Sequence, residues 1–172
     1  LVNLNFKNFA AQALTLYPVK LVEEIRTGIA HLFGDTQFNY GTRLLAQSNS
    51  NQVAKTWRYL FAKRRPSQLD GPHHGQEVAH VFGNLSAKVT PIENDFDQKD
   101  ELISTAMLNY WVQFAHTGNP NQKEQPEWHP YNMVSDHMVV FGTDISNQDG
   151  FRKENLDFID HFFQANTEVR VQ

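Results

Sequence analysis

Residues 72 to 83 read Pro-His-His-Gly-Gln-Glu-Val-Ala-His-Val-Phe-Gly, which crowds His73, His74, Glu77 and His80 into one short stretch. Imidazoles and a carboxylate at this density can do two kinds of chemistry. They can ligate a metal ion, or one imidazole can act as the general base of a hydrolytic reaction. The spacing weighs against metal. His74, Glu77 and His80 recur every third residue, a step that drifts around a helix axis, whereas helical zinc-binding histidine pairs stand at i and i+4. His73 diverges from its neighbour and does not complete a set. A metal ion is therefore not expected here. A general base needs a loop beyond the C-terminal end of a sheet strand, with its second ring nitrogen held by a carboxylate. The plain alternative is a loop or surface histidine. That is the default for His80, and equally for His31, His116, His129, His137 and His161, because no spacing links any of them to a partner.

The elements around this stretch must decide. In V-A-K-T-W-R-Y-L-F-A, Val53, Trp57, Tyr59 and Phe61 alternate with Ala54, Leu60 and Ala62, so both faces are partly apolar. This predicts a strand buried on both sides, as in an α/β sheet. The polar loop K-R-R-P-S-Q-L-D-G-P then delivers His73 and His74 just past the strand's C-terminal end, where sites form in open α/β sheets. Upstream, Phe6, Phe9, Ala10, Ala13 and Leu14 recur at helical spacing until Pro18. A second helix is expected to turn Leu21, Ile25, Ile29 and Leu32 to one face and to stop at Gly34. Asp35 is then placed to cap a third, carrying Phe38 and Leu45 inward. Downstream, Asp97 is a candidate N-cap for the longest helix, with Asp100 and Glu101 in its first turn. Ile103, Met107, Tyr110, Trp111 and Phe114 form its apolar stripe, and Gly118 with Pro120 ends it. A short strand at M-V-V-F and a last helix bearing Phe151, Phe158, Ile159, Phe162 and Phe163 complete the chain. The expectation is an α/β chain, mainly helices on one core strand plus a short late strand, with no internal boundary across residues 1–172. A doubly buried strand needs strands on both sides, and few are offered, so the chain reads as part of a larger sheet protein.

Bulk properties close off other classes. With 172 residues and 13 phenylalanines there is enough apolar mass for a core. The net charge of −4 and a lone basic run, Lys63-Arg64-Arg65, do not make a nucleic-acid footprint. No apolar run approaches the roughly 20 residues of a membrane span. Cysteine is absent, which excludes disulfides and thiolate metal sites and favours a reducing, cytoplasmic compartment.

Four stretches together carry a resemblance. P-H-H-G-Q-E-V-A-H-V-F-G is similar to the histidine motif of the type-B carboxylesterase family, which includes the cholinesterases. L-N-Y-W-V-Q-F-A-H-T-G-N-P-N, continued by W-H-P-Y-N, resembles that family's Y-W-x-x-F-A-x-T-G-x-P-N helix end. G-D-T-Q-F-N-Y-G-T-R-L-L-A resembles the helix before the histidine strand, and W-R-Y-L-F resembles the strand itself. They occur in family order and with the ends span roughly residues 14 to 163.

The resemblance implies the C-terminal part of an α/β-hydrolase fold and the hydrolysis of carboxylic esters by a serine enzyme. His74, directly before Gly75, matches the catalytic histidine, and His73 is a neighbour with a packing or loop role. Gly75 permits a tight turn, and Glu77 is read as an anchor for the loop. No G-x-S-x-G occurs, and none of the serines at 48, 50, 67, 86, 104, 135 and 146 has such flanks. No glycine-rich oxyanion loop occurs either. Asp35 matches a helix start in the family, and Asp70 is too close to His74 in sequence to come from another strand. The nucleophile and the acid are therefore expected before residue 1, in the missing N-terminal part of the same enzyme, and the fragment alone is expected to be inactive. Gln76 stands where cholinesterases carry an aromatic, which argues against choline esters. The absence of cysteine departs from the secreted animal members, so a microbial, general carboxylesterase acting on small-molecule esters is expected. The rival is a catalytically dead, cholinesterase-like protein-binding domain. Self-association through an exposed sheet edge is a further expectation.

Overall fold

The computed structural model describes residues 6–50, 52, 54–65, 68, 71–85 and 96–168. Val53, Ser67, Asp70 and Ser86, named above, lie outside them. The described chain is mixed α/β and mostly helical. Its helices are α1 (Ala10–Leu16), α2 (Ile25–Gly34), α3 (Tyr40–Asn49), α4 (Val78–Val81), α5 (Gln98–Thr117) and α6 (Lys153–Glu168). Its strands are β1 (Tyr59–Phe61), β2 (Met138–Phe141) and β3 (Ile145–Gln148). Two compact units form, Leu1–Ala54 with Gly150–Gln172, and Lys55–Asp149.

The first unit packs α1 on α6. Phe6, Ala10, Ala13 and Tyr17 bury against Leu156, Phe158 and Ile159, as the 3.6-residue period predicts. Its polar centre is Asp35, which is 0 % exposed. Arg152 Nε donates to both carboxylate oxygens (2.8 and 2.7 Å), and the Tyr17 hydroxyl donates to Oδ2 (2.8 Å). Asn39 Nδ2 donates to Oδ1 at 2.9 Å. This corrects the expected break at Gly34 and Asp35. Gly34 keeps a helical φ of −58°, and the chain passes through a π turn at Asp35–Asn39 directly into α3. Glycine ends a helix when the backbone adopts positive φ; here a buried carboxylate with three partners holds it helical. The inward roles of Phe38 and Leu45 are corrected too: both are exposed, Leu45 at 68 %. Leu21, Ile25 and Ile29 are likewise exposed.

The second unit sets α5 against the sheet. Ile103, Met107 and Tyr110 bury with Trp128, Val139 and Phe141. The ends of α5 follow the local chemistry. Asp97 accepts from the Asp100 amide at 2.9 Å while the Asp100 carboxylate accepts from the Asp97 amide at 3.0 Å, a reciprocal cap. Gly118 closes the helix at φ +71°. Phe114, placed on the inward stripe by spacing, is 48 % exposed.

The sheet order is β1-β2-β3. β1 pairs parallel with β2, Leu60 opposite Val140, and β2 pairs antiparallel with β3, Val140 opposite Ser146. The strand expected from residue 53 is thus only three residues long, and it is not buried on both sides: Tyr59 is 38 % exposed and, among the described residues, β2 is its one strand neighbour. β3 went unread because I-S-N-Q is polar; it is an outer strand held by the backbone ladder, with only Ile145 packed against the core. Trp128, within the stretch read as irregular, is a core residue whose indole donates to the Arg58 carbonyl at 3.0 Å.

Candidate functional site

The site begins where β1 runs out. Ala62 N–H continues the ladder to the Phe141 carbonyl (2.8 Å), and Lys63 then turns its ammonium to Asp97 Oδ2 (3.0 Å) and Asp100 Oδ2 (3.2 Å). The two carboxylates face a nearly buried lysine. Burial alone depresses its pKa, but the two carboxylates outweigh that and raise it. Asp97 is held down at about 2, first by the Lys63 hydrogen bond and then by the Asp100 amide.

Two glutamines fix the loop that follows. Gln68 accepts the Arg65 amide on Oε1 (3.1 Å) and donates through Nε2 to Gln76 Oε1 (2.6 Å). The same Gln76 oxygen accepts the His73 amide at 2.8 Å. Residues 73 to 76 then close a β-turn: the Gln76 amide donates to the His73 carbonyl at 3.2 Å, with Gly75 at φ +87°. A positive φ at the third position is what a type II turn requires. A Cβ on Gly75 would meet nothing within 4 Å, so backbone angle, not space, selects glycine. His74 occupies the corner of this turn and is exposed, as is His73.

The chain then enters α4. Glu77 caps it without a side-chain hydrogen bond, its carbonyl accepting the Val81 amide at 2.9 Å. Burial, and then the Glu77 charge, raise the Tyr59 pKa. The side chain that visibly ties the turn together is Gln76, which sequence reasoning singled out only as a departure from an aromatic.

His80 does not follow the surface default. It is 1 % exposed, packed on Phe61 (ring centroids 4.7 Å apart) and Phe96 (5.6 Å). Its Nε2 lies 3.0 Å from Asp100 Oδ1 and its Nδ1 lies 3.4 Å from the Gln76 carbonyl. His137 also departs: it is buried, with Nδ1 2.6 Å from Asp149 and Nε2 3.0 Å from Asn147 Oδ1. His31, His116, His129 and His161 are exposed as expected. The signal for His80 was Asp100 in the first turn of α5, 20 residues on, which spacing within the motif could not reveal. The structure therefore separates the three histidines: His73 and His74 face out, and His80 is buried against Asp100. Among the described residues no group of three or more histidines and acids is placed to hold a metal ion, and no helix is long and apolar enough to cross a membrane.

The profile described as "Carboxylesterase family" matches residues 6–159. The fumonisin B1 esterase of Sphingopyxis macrogoltabida is 31 % identical over 143 residues, covering 78 % of this chain and 25 % of that enzyme. Carboxylesterase 4A of Bos taurus is 28 % identical, covering 76 % and 24 %. Among solved structures, a pNB esterase superposes with a TM-score of 0.66 at 25 % identity, over 92 % of this chain and 31 % of that one. A thermophilic pNB esterase gives 0.67 at the same identity. The chain thus spans about a quarter of the length of the curated relatives it matches. A profile match over most of its length, with these relatives, establishes that the chain belongs to the carboxylesterase family.

Proposed function

We propose that this chain is the C-terminal part of a serine carboxylesterase and that His74 is its general base. The observation that carries the reading is the presentation of His74: exposed at the corner of a glycine-dependent turn, beyond the C-terminal end of a parallel strand, in a stretch that resembles the family's histidine motif. Gly75 serves the turn, and Glu77 stabilises the loop from its position at the start of α4. In the complete enzyme a serine outside this chain attacks the ester carbonyl. His74 takes the hydroxyl proton and returns it to the departing alcohol, leaving an acyl-enzyme. A water, deprotonated by His74, then releases the carboxylic acid, and the proton goes back to the serine. An upstream acid holds the second ring nitrogen. The reaction needs no metal and no organic cofactor, and its substrates are small-molecule carboxylic esters.

The residues here lack the nucleophile motif, so the chain alone does not complete this cycle. The test compares the purified chain with the longer protein that carries it, on a p-nitrophenyl ester. The expected result is turnover by the longer protein and none by the chain above free imidazole. Enzymatic turnover by the chain alone contradicts the division of labour. A longer protein that folds but is inert, and lacks a nucleophile serine, supports the dead, protein-binding relative instead.

A further inference from the structure

A base on an exposed turn is useful only if its ring stays in register with groups on other elements. Displacement of about 1 Å by a remote mutation can cost about a hundredfold in rate. The turn at 73 to 76 needs bracing from behind, and His80 stands there. One ring nitrogen faces the Gln76 carbonyl, two residues from His74, and the other faces Asp100. Ser104 Oγ donates to the His80 carbonyl at 2.9 Å, tying the backbone of α4 to α5 as well. Asp100 is itself immobilised. Its Oδ2 accepts from the Asp97 amide (3.0 Å) and from Lys63 (3.2 Å), which leaves Oδ1 for the imidazole. Lys63 lies two residues past β1, so the brace ends beside the strand and on the N-terminus of α5 together.

Helix capping alone does not explain this arrangement. Asp97 already caps α5, and an exposed carboxylate at the third position would complete the reciprocal pair. Asp100 is instead 0 % exposed, and burying a carboxylate costs free energy unless it is paired and hydrogen-bonded. We infer that His80 and Asp100 are positioning residues that hold the turn bearing His74 in its working register. This rests on the reading of His74 as the base.

The test uses the full-length protein carrying this chain and compares His80→Phe, His80→Gln, Asp100→Asn and His74→Ala for kcat, KM and thermal melting. Phenylalanine keeps a ring between Phe61 and Phe96 but removes both nitrogens; glutamine restores a donor toward Asp100. His80→Phe is expected to lower kcat about ten- to a hundredfold with KM changed less than about twofold, and His80→Gln to recover most of the loss. Asp100→Asn is expected to lower kcat about tenfold. It is read in the same way if His80→Phe does not fold. If His74→Ala abolishes turnover while His80→Phe and Asp100→Asn leave kcat intact, the positioning role is overturned and the base assignment stands. The role is equally overturned if the loss in kcat is not recovered by glutamine and only tracks a lower melting temperature. If His74→Ala retains turnover, the base assignment falls and the positioning role falls with it.

Discussion

Gly75 holds φ at +87° with open space where a Cβ would go, which isolates a backbone effect. Gly75→Ala is expected to destabilise by about 1 kcal/mol, the cost of left-handed φ for an L side chain, measured by urea unfolding. An unchanged midpoint would mean the turn relaxes without penalty. Asp35 is the counterpart in the other unit. Burial, and then the neighbouring Asp35 carboxylate, push the Tyr17 hydroxyl above the usual phenol range, and Arg152 is held by the same group. Asp35→Ala strands Arg152, Tyr17 and Asn39 and is expected to cost about 3 kcal/mol or more. The pairings of Asp35 and of His80 are ones that sequence spacing does not display. Arg152 is 117 positions from Asp35, and Asp100 is 20 from His80. What the sequence did display was local: the His-Gly pair, and a glycine whose flexibility the turn uses.

At the scale of elements, α5 was legible because its stripe and both its ends are written within about six turns of chain. Asp97 capped it, and Gly118 closed it at positive φ. The Asp97 pKa is depressed to about 2, so its contribution to stability is fully present above the ordinary carboxylate range. It is lost as pH falls from about 4 toward 2, where Asp97 takes up a proton. Because Asp97 is largely exposed the effect is small. Acid unfolding of Asp97→Asn should therefore show a shallower loss of stability across that window than the parent; parallel curves would exclude the linkage. The sheet was read less well. β3 is polar and gains its place from backbone pairing, and Trp128 enters the core from a loop without periodicity. Trp128→Ala removes an indole packed on Phe141 and Tyr110 and is expected to cost about 3–5 kcal/mol by denaturant titration.

The whole chain is a family member that spans about a quarter of its curated relatives, and its surface fits that fact. Val22 is 80 % exposed, Leu21 60 %, Phe33 58 % and Ile29 50 %, four large apolar side chains open to solvent within residues 21–33. β1 also keeps, among the described residues, one strand neighbour. The chain by itself is expected to self-associate, eluting earlier from size exclusion at high than at low concentration; a constant monomer position would argue that these surfaces are benign. The proposed role of His74 rests on the local motif, whereas its separation from the buried His80 is tertiary. The decisive measurement is kcat/KM for His74→Ala and His73→Ala, side by side, in the full-length protein on a p-nitrophenyl ester. His74→Ala is expected to lose about 10³-fold or more, because triad members act as a unit, while His73→Ala stays within about tenfold of the parent. The reverse order, or near-parent activity in His74→Ala, would contradict the assignment of His74 as the base.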